Sequence, residues 1–414
     1  MNVVLYEDGG WPRLLPLVYT RAVFQLRCGM GDLLSQVRFL LRELPAADLS
    51  LCCRPGLASL VREQTGLRVN ERPAGPSLLL NGRALWSSLP ECEEDGKPWV
   101  GMAEGGIACV FADSGLTDAL AAENLQEDAA VSRLLEGLPR RDAGGNCRLF
   151  SWPWEIVGAN ADALISGWER LGLGRPERGE IGPGVTLLGE DVFAAGSARI
   201  DPGVVVDSRG GPVYIDAGVR VRPHAFIEGP ACIGPGSILQ PHACVRGGTT
   251  LGAACRVGGE IEAGILQGYG NKQHFGYLGH SYVGSWTNLG AGCTNSDLKN
   301  TYGKVRVPVN GEEVETGERF VGMAMGDHSK AGTGVCFPTG AVVGFSSSVA
   351  AARPPRFVPS FTWIDGGRVE PYDRERALAV AHRVLARRDC RMSAEEERVF
   401  SSVAGEAERL ERVP

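Results

Sequence analysis

Aliphatic residues recur every six positions through much of the second half of the chain. The longest unbroken run has eight members: Ile215, Val221, Ile227, Ile233, Leu239, Val245, Leu251 and Val257. Four positions after each of the first seven comes a small or slim residue: Val219, Ala225, Ala231, Ser237, Ala243, Thr249 and Cys255. Period six matches neither a helix nor a single strand, whose side chains repeat every 3.6 and 2 residues. It predicts short strands joined by turns, three to a triangular coil, with one aliphatic side chain per strand pointing inward.

The six-residue pattern breaks off twice and resumes each time. It returns at Tyr277, Val283 and Leu289, and again at Met325, Ala331, Phe337, Val343 and Val349. A less regular stretch precedes the main run, at Ile181, Leu187, Ile200 and Val206. The solenoid is therefore predicted over about 180–350, with interruptions at 258–276 and about 294–320. Interruptions of a solenoid form loops on one face and often carry function.

The first part of the chain alternates between short apolar runs and amphipathic stretches, which predicts an α/β domain with a parallel sheet over residues 1–165. The predicted elements are strands Val3–Tyr6, Leu49–Cys53 and Ser77–Leu80, helices Asp32–Glu43 and Gly56–Gln64, and a joining helix Trp152–Leu164. The solenoid domain then spans 166–350. Residues 351–414 are predicted to form a helical tail with helices Asp373–Arg388 and Ala394–Arg412, the second begun by a capping box of Ser393 and Glu396. Such a tail would cover the open end of the solenoid or pack on a neighbouring subunit.

Composition narrows the class of protein. The 57 glycines are about twice the usual share of roughly 7%, as many tight turns require. A net charge of -7 argues against a nucleic-acid-binding surface. No apolar run approaches the roughly 20 residues of a membrane span, and the N-terminus lacks a signal-peptide pattern, so we expect a cytoplasmic protein. The twelve cysteines include no CxxC pair, so we expect buried reduced thiols and no metal centre.

Two segments carry a family resemblance. Lys272–Gly279 reads KQHFGYLG, and Trp286–Gly292 reads WTNLGAG. They resemble the acetyltransferase half of the bifunctional N-acetylglucosamine-1-phosphate uridyltransferase / glucosamine-1-phosphate N-acetyltransferase family, which carries His-x-x-Tyr-Leu-Gly and then Asn-Ile-Gly-Ala-Gly. Ile233–Ile238 is similar to the hexapeptide unit of acyltransferases whose β-helix is left-handed, and the left hand is implied by that resemblance alone. Leu14–Arg21 and Asn271–Gly303 resemble a divergent branch of sugar nucleotidyltransferases with an acyltransferase domain.

The resemblance implies an acyl transfer from acetyl-CoA, as co-substrate, to an amino sugar, by a homotrimer with the CoA thioester between subunits. His274 matches the family's general base. An ammonium cannot attack a thioester, and an imidazole titrates in the range needed to remove its proton. Tyr277, Asn288 and Asn295 are implied to contact the sugar or position the amine, although Tyr277 also falls on an inward solenoid position. His280 lies beyond the motif and is expected to matter little.

The phosphate site departs from the family pattern. The Arg and Lys that hold the sugar 1-phosphate in the family are replaced here by Gln240 and Gly264. A dianionic phosphate binds weakly without cations. The available substitutes are Arg246, Lys272 and Lys299, so acyl transfer is better supported than glucosamine 1-phosphate as the acceptor.

The nucleotide site departs as well. Sugar nucleotidyltransferases cradle the triphosphate in a Gly-rich loop that ends in Gly-Thr-Arg. The loop after the first strand here is one residue shorter and lacks the third Gly and the Thr. The weak nucleotide-binding candidates are Gly9, Gly10, Arg13, Arg21 and Asn81. Asn81 stands where a carboxylate would hold Mg²⁺, which is needed only if this domain is active; Glu7 and Asp8 are alternative ligands.

Three functions follow, in order of support. The first is acyl transfer to an amino sugar bearing phosphate or nucleotide, with a degenerate nucleotidyltransferase domain. The second is a sugar-1-phosphate nucleotidyltransferase whose β-helix only assembles subunits, which Mg²⁺ bound at Glu7 or Asp8 would favour. The third is a non-catalytic sensor or regulator that binds a sugar nucleotide. The sequence leaves open the acyl group, the sugar, the nucleotide base and the role of the C-terminal helices.

Overall fold

The N-terminal domain is built on one mixed six-stranded sheet. The computed structural model describes residues 1–44, 46–92, 96–122, 125–172 and 179–411. In spatial order the strands are Asp48–Cys52, Asn2–Tyr6, Ser77–Asn81, Gly106–Ala112, Trp99–Ala103 and Arg140–Asp142. The first three are parallel, as predicted. The expectation of an entirely parallel sheet is wrong, because Gly106–Ala112 runs antiparallel to both neighbours and forms a tight hairpin with Trp99–Ala103.

Helices occur in both terminal parts of the chain. The α-helices of the described residues are Leu33–Leu40, Ala58–Thr65, Ser114–Ala122, Asp128–Leu134, Pro153–Leu171, Arg374–Ala386 and Ala394–Leu410. Short 3-10 turns span Trp11–Leu14, Val23–Gln25, Leu41–Glu43 and Pro55–Leu57, and two small antiparallel pairs join Ala84–Trp86 to Cys147–Leu149 and Arg27–Cys28 to Gly31–Asp32. Every predicted helix is present with shifted ends. The capping box of Ser393 and Glu396 is confirmed, whereas Arg412, the predicted last helical residue, lies outside the described residues. None of the described helices is long and apolar enough to cross a bilayer.

The second half is a three-sided parallel β-solenoid, consistent with a left-handed β-helix. Its first face has strands Glu180–Ile181, Arg199–Ile200, Arg220–Val221, Ile238–Leu239, Arg256–Val257, Asn271–Lys272, Asn288–Leu289, Lys330–Ala331, Ser348–Ala350, Thr362–Asp365 and, antiparallel at its end, Arg368–Pro371. The second face has Thr186–Leu188, Val205–Asp207, Phe226–Glu228, Cys244–Val245, Glu260–Glu262 and Tyr277–Gly279, followed by the pair Thr294–Asn295 and Cys336–Phe337. The third face has Val192–Ala194, Val213–Ile215, Ala231–Ile233, Thr249–Leu251, Ile265–Leu266, Tyr282–Val283, Met323–Met325, Ala341–Val343 and Phe357–Val358.

The predicted inward column is confirmed over its long run. All eight aliphatic residues from Ile215 to Val257 are fully buried and belong to one hydrophobic cluster. Two details of the pattern are wrong. Residues 258–276 are not a loop but a further coil, which contains strands on all three faces. After Val257 the inward positions follow at steps of four, five, six and six residues, so Leu278, and not Tyr277, takes the inward position.

The second interruption is confirmed as an insertion. Between Thr294–Asn295 and Met323–Met325 the chain forms an antiparallel hairpin, Arg306–Val309 with Glu312–Glu315. Apolar residues of this insertion pack against Trp154 of the helix Pro153–Leu171. The hairpin is therefore fixed to the helix that connects the two domains, next to the coil that carries the sequence motif.

The C-terminal helices pack between the N-terminal domain and the last coils of the solenoid, so the tail contacts both domains of its own chain. Phe400 makes edge-to-face contacts with Phe345 and Phe361 of the last coils. On the other side, Glu406 pairs with Arg54 of the N-terminal domain at 3.5 Å. All twelve cysteines are free.

Candidate active site

His274 lies exposed on the turn between the first and second faces. The turn is tied to the next coil, because the Gly292 N–H donates to the Phe275 carbonyl at 3.0 Å. Gly276 has φ of 126°, and an added Cβ there would lie 1.9 Å from the carbonyl oxygen of Cys293, so the close approach requires glycine. The His274 ring is exposed and has no side-chain partner among the described residues. A fixed turn thus presents a free imidazole to solvent.

Lys272 holds this turn from inside the solenoid. It is 2% exposed and continues the inward column after Val257. Its ammonium donates to the carbonyl oxygens of Gly258 at 2.8 Å and His274 at 3.1 Å. Burial lowers the pKa of Lys272 to about 8. The prediction that Lys272 binds a phosphate is therefore wrong, since its charge is committed to the backbone that carries His274.

The three other residues implied to contact the sugar have different environments in the structure. Asn295 is buried and bonds both backbone groups of Gly279, at 2.9 and 3.0 Å, so its amide joins two coils and is not available to a substrate. The side-chain amide oxygen of Asn288 accepts from the side-chain amide of Asn271 at 2.6 Å on the first face. The Tyr277 hydroxyl points outward from the second face and donates to Asp297 at 2.7 Å and Glu262 at 3.1 Å.

A second imidazole, at His280, has the partners that His274 lacks. Its Nδ1 lies 2.8 Å from the Asp297 carboxylate, and its ring stacks on Phe320 with 5.2 Å between centroids. Burial raises the pKa of Asp297, but hydrogen bonds from His280 and Tyr277 outweigh this effect and hold the pKa below its usual value. The sequence reasoning missed this pair. Its signal is the spacing of 17 residues, which is also that of the paired strand residues Asn271 and Asn288 on successive coils.

Two cations remain near the motif. Arg246 lies on the second face and pairs with Glu228 and Glu260, at 3.4 and 3.6 Å, so acidic neighbours already offset its charge. Lys299 is half-buried at the base of the hairpin, where its ammonium donates to the Lys304 carbonyl at 3.0 Å. It lines a cavity of about 230 Å³ together with Arg306, Arg356 and Glu315, and both arginines pair with glutamates of the hairpin. Of the three predicted phosphate-binding cations, Lys299 is neither buried like Lys272 nor paired with carboxylates like Arg246 among the described residues.

The strand end of the N-terminal domain is closed by its own side chains. Both Asp8 oxygens accept from Arg83, at 2.7 and 2.6 Å, and Asn81 donates to the same carboxylate at 2.8 Å. The Gly10 N–H also donates to Asp8, and the Gly9 N–H donates to Asp128, each at 3.2 Å. The two loop N–H groups predicted to bind phosphate therefore already have carboxylate acceptors, and a triphosphate would be repelled by them.

These residues do not fit a Mg²⁺ site. Glu7 is fully buried, where it accepts from Arg54 at 3.0 Å and from the Val23 N–H at 3.1 Å. Asp8 is occupied by Arg83, and Asn81 offers only an amide. Within the described ranges there is no group of three or more His, Cys, Asp or Glu side chains arranged to hold a metal ion. Glu7 is a structural anchor, and the alternative that it or Asp8 binds metal is not supported.

The guanidinium groups of the two arginines predicted to neutralise a nucleotide contact other parts of the molecule. Arg21 forms a buried ion pair with Asp327 of the solenoid at 2.7 Å. Arg13 is exposed and lies over Trp152, 5.9 Å from the ring centroid. The structure therefore does not support the prediction that Arg21 binds a nucleotide, because its guanidinium joins the two domains.

Comparison with known proteins finds a matching family model, relatives in sequence and a similar solved structure. The family model described as sugar nucleotidyl transferase matches residues 3–176. The bifunctional protein GlmU of Bartonella bacilliformis is 26% identical over 239 residues, which cover 53% of this chain and 51% of that protein. The bifunctional protein GlmU of Azorhizobium caulinodans is 28% identical over 144 residues, 33% of this chain and 32% of that protein. The chain thus spans about half or less of the length of the curated relatives it matches. A solved UDP-N-acetylglucosamine acyltransferase is similar at 12% identity over 50% of this chain and 73% of that chain, with a TM-score of 0.16.

Proposed function

We propose that this chain, a divergent relative of the bifunctional GlmU proteins, transfers an acyl group from a CoA thioester to an amino sugar that bears a phosphate or a nucleotide. The observation that carries the proposal is the exposed His274 imidazole on a turn held by Lys272 and Gly292. Acetyl-CoA is the first co-substrate to test. Lys299 is the cation that we assign to the phosphate of the acceptor.

The chemistry requires a base at the amine. His274 would take a proton from the sugar ammonium, the freed nitrogen pair would form the new C–N bond, and the C–S bond of the thioester would break. Its ring carries no side-chain hydrogen bond in the described structure, so its nitrogen is open to a substrate. A base held by a rigid turn keeps its position without further reorganisation.

The N-terminal domain has a different role in this proposal. The Arg83–Asp8 pair and the Asp128 contact occupy the places where a triphosphate and a metal would bind. We infer that this domain does not transfer nucleotides, and that it recognises or positions the acceptor. We further infer a homotrimer that works in the cytoplasm, where CoA thioesters are available.

The test is an acyl-transfer screen. The full chain is incubated with acetyl-CoA and a panel of amino-sugar phosphates and UDP-amino sugars, and release of free CoA thiol is followed. Thiol release that depends on both protein and acceptor is the expected result. Binding of a UDP-sugar without any thiol release would instead establish the non-catalytic sensor. This is the second candidate, because the closed strand end of the first domain disfavours nucleotidyl transfer.

A further inference from the structure

A cavity of about 390 Å³ lies where three parts of the chain meet. The N-terminal domain contributes Asp32 and Gln64 to its wall, the solenoid contributes Tyr269 and Trp286, and the C-terminal helical region contributes Arg391. Clefts of this volume are typical of small-molecule sites, and such sites often form between domains. The cavity exists only when all three parts are assembled.

The solenoid side of the cavity carries a pair of stacked aromatic rings. Tyr269 and Trp286 lie on turns that lead into the paired strands Asn271–Lys272 and Asn288–Leu289. Their ring centroids are 4.1 Å apart, with an interplanar angle of 18°. Both side chains are only half-buried, so part of this flat apolar surface is open to the cavity. Such a surface packs well against the flat apolar face of another ring.

Two carboxylates at the cavity have hydrogen-bonding capacity to spare. Asp32 and Glu396 each cap a helix N-terminus with one oxygen, which accepts from the Ser35 N–H at 2.7 Å and from the Ser393 N–H at 2.8 Å, respectively. The second oxygen of each carboxylate accepts no hydrogen bond from the described residues. Both carboxylates can therefore accept from a bound molecule without loss of the helix caps.

Donor groups at the cavity are also unused. Gln64 accepts from Gln25 at 2.7 Å through its side-chain oxygen, while its amide nitrogen has no acceptor in the described part of the chain. His328 is 7% exposed, and its Nδ1 has no hydrogen-bond partner. Burial lowers the pKa of His328 to about 3, so its ring is neutral. An unpartnered buried polar group is costly, and a hydroxyl of a bound molecule would supply the partner that the protein lacks.

The balance of charge at the cavity separates the classes of ligand. Arg21 and Asp327 offset each other as a buried ion pair. The other charged side chains among the described lining residues are the carboxylates of Asp32 and Glu396 and the guanidinium of Arg391. The wall therefore has an excess of one negative charge. A phosphate dianion would be repelled, whereas hydroxyl and ammonium groups would donate to the carboxylates.

We propose that this cavity binds a pyranose sugar without a phosphate, and that it prefers an amino sugar to a neutral one. The apolar face of the sugar ring would lie on Tyr269 and Trp286, and its hydroxyl and ammonium groups would donate to the two carboxylates. The site is separate from the acyl-transfer site, because neither His274 nor Lys299 is among the described residues that line it. Since three parts of the chain contact the sugar, its binding would stabilise their arrangement.

Titration of the full chain with glucosamine and with glucose, followed by tryptophan fluorescence and calorimetry, tests this site. We expect saturable binding of both sugars at millimolar concentrations, tighter for glucosamine, and a higher melting temperature with glucosamine. The double variant Asp32→Asn with Glu396→Gln keeps both caps, because Asn and Gln accept the same hydrogen bonds. It should weaken glucosamine binding about tenfold and glucose binding less. The matched control is Glu397→Gln, on the same helix and paired with His382, which should leave both affinities unchanged.

Three outcomes would overturn the proposal. The first is that neither sugar binds saturably to the wild-type chain. The second is that glucosamine binds the double variant, or a folded Trp286→Ala, as tightly as wild type, because the sugar then lies elsewhere. The third is that glucosamine 1-phosphate or uridine binds more tightly than glucosamine and loses its affinity in Trp286→Ala, because the cavity then takes another class of ligand. All these readouts measure binding, so they do not depend on whether the chain transfers acyl groups.

Discussion

Replacing Asp327 by Ala should weaken the contact between the two domains and lower the free energy of unfolding more than a substitution at an exposed ion pair. Its carboxylate accepts from Arg21 at 3.0 and 2.7 Å, from the Ser285 N–H at 2.7 Å, and from the Thr20 hydroxyl. The side chains of Arg21 and Asp327 are 10% and 5% exposed. Without Asp327, Arg21 keeps the Leu17 carbonyl and the Ser285 hydroxyl as its acceptors among the described residues. Removing one partner of a buried ion pair typically costs about 3–5 kcal/mol, because the other charge stays buried.

Urea unfolding followed by tryptophan fluorescence measures this loss as a change in the free energy of unfolding. A matched control is Arg374→Ala, whose ion pair with Glu408 has side chains 58% and 67% exposed and should contribute at most about 1 kcal/mol. If Asp327→Ala is no more destabilising than Arg374→Ala, the pair does not hold the domains together and the reasoning from burial is refuted.

Three further predictions concern other parts of the chain. Burial lowers the pKa of Lys272 to about 8 from its usual 10.5, so between these pH values the unfolded chain binds more protons than the folded chain. The free energy of unfolding of wild type should therefore rise with pH in this range, by up to about 1.4 kcal/mol per pH unit relative to Lys272→Met. Equal slopes of the two proteins in urea titrations would contradict this prediction. With UTP, a sugar 1-phosphate and Mg²⁺, no pyrophosphate should form, because Asp128 and Arg83 close the strand end; turnover of several per second, abolished by EDTA, would show an active metal site. Sedimentation should give about three times the chain mass of 44.1 kDa, and a mass of one chain at micromolar concentration would exclude the trimer.

The sequence predicts the fold correctly where a single physical requirement, such as burial in a packed column, determines the type of residue at each position. The inward positions from Ile215 to Val257 must be aliphatic because they face one packed column, and all are buried. The prediction failed where a coil breaks its six-residue step. Lys272 occupies an inward position, although its polarity predicts that it lies at the surface. Its buried ammonium donates to two carbonyl groups, and no local sequence pattern predicts these contacts.

The candidate site was readable only in part. His274 was found because the motif is local, and its exposure agrees with the assignment without testing it. Asp297 and Phe320 were missed because each lies on a different coil or insertion from His280, and only the three-dimensional stack brings them together. Arg21 was assigned to a nucleotide from its closeness in sequence to the glycine loop, yet it pairs with Asp327, 306 residues away.

The most direct test of the proposed acyl transfer is the rate of His274→Ala with acetyl-CoA and the acceptor that wild type uses best. We predict a fall of about 10²- to 10⁴-fold in thiol release, with melting temperature and sedimentation mass unchanged, because an exposed turn side chain contributes little to the core. Near-full activity of His274→Ala, or its failure to fold, would contradict the assignment of this imidazole as the base.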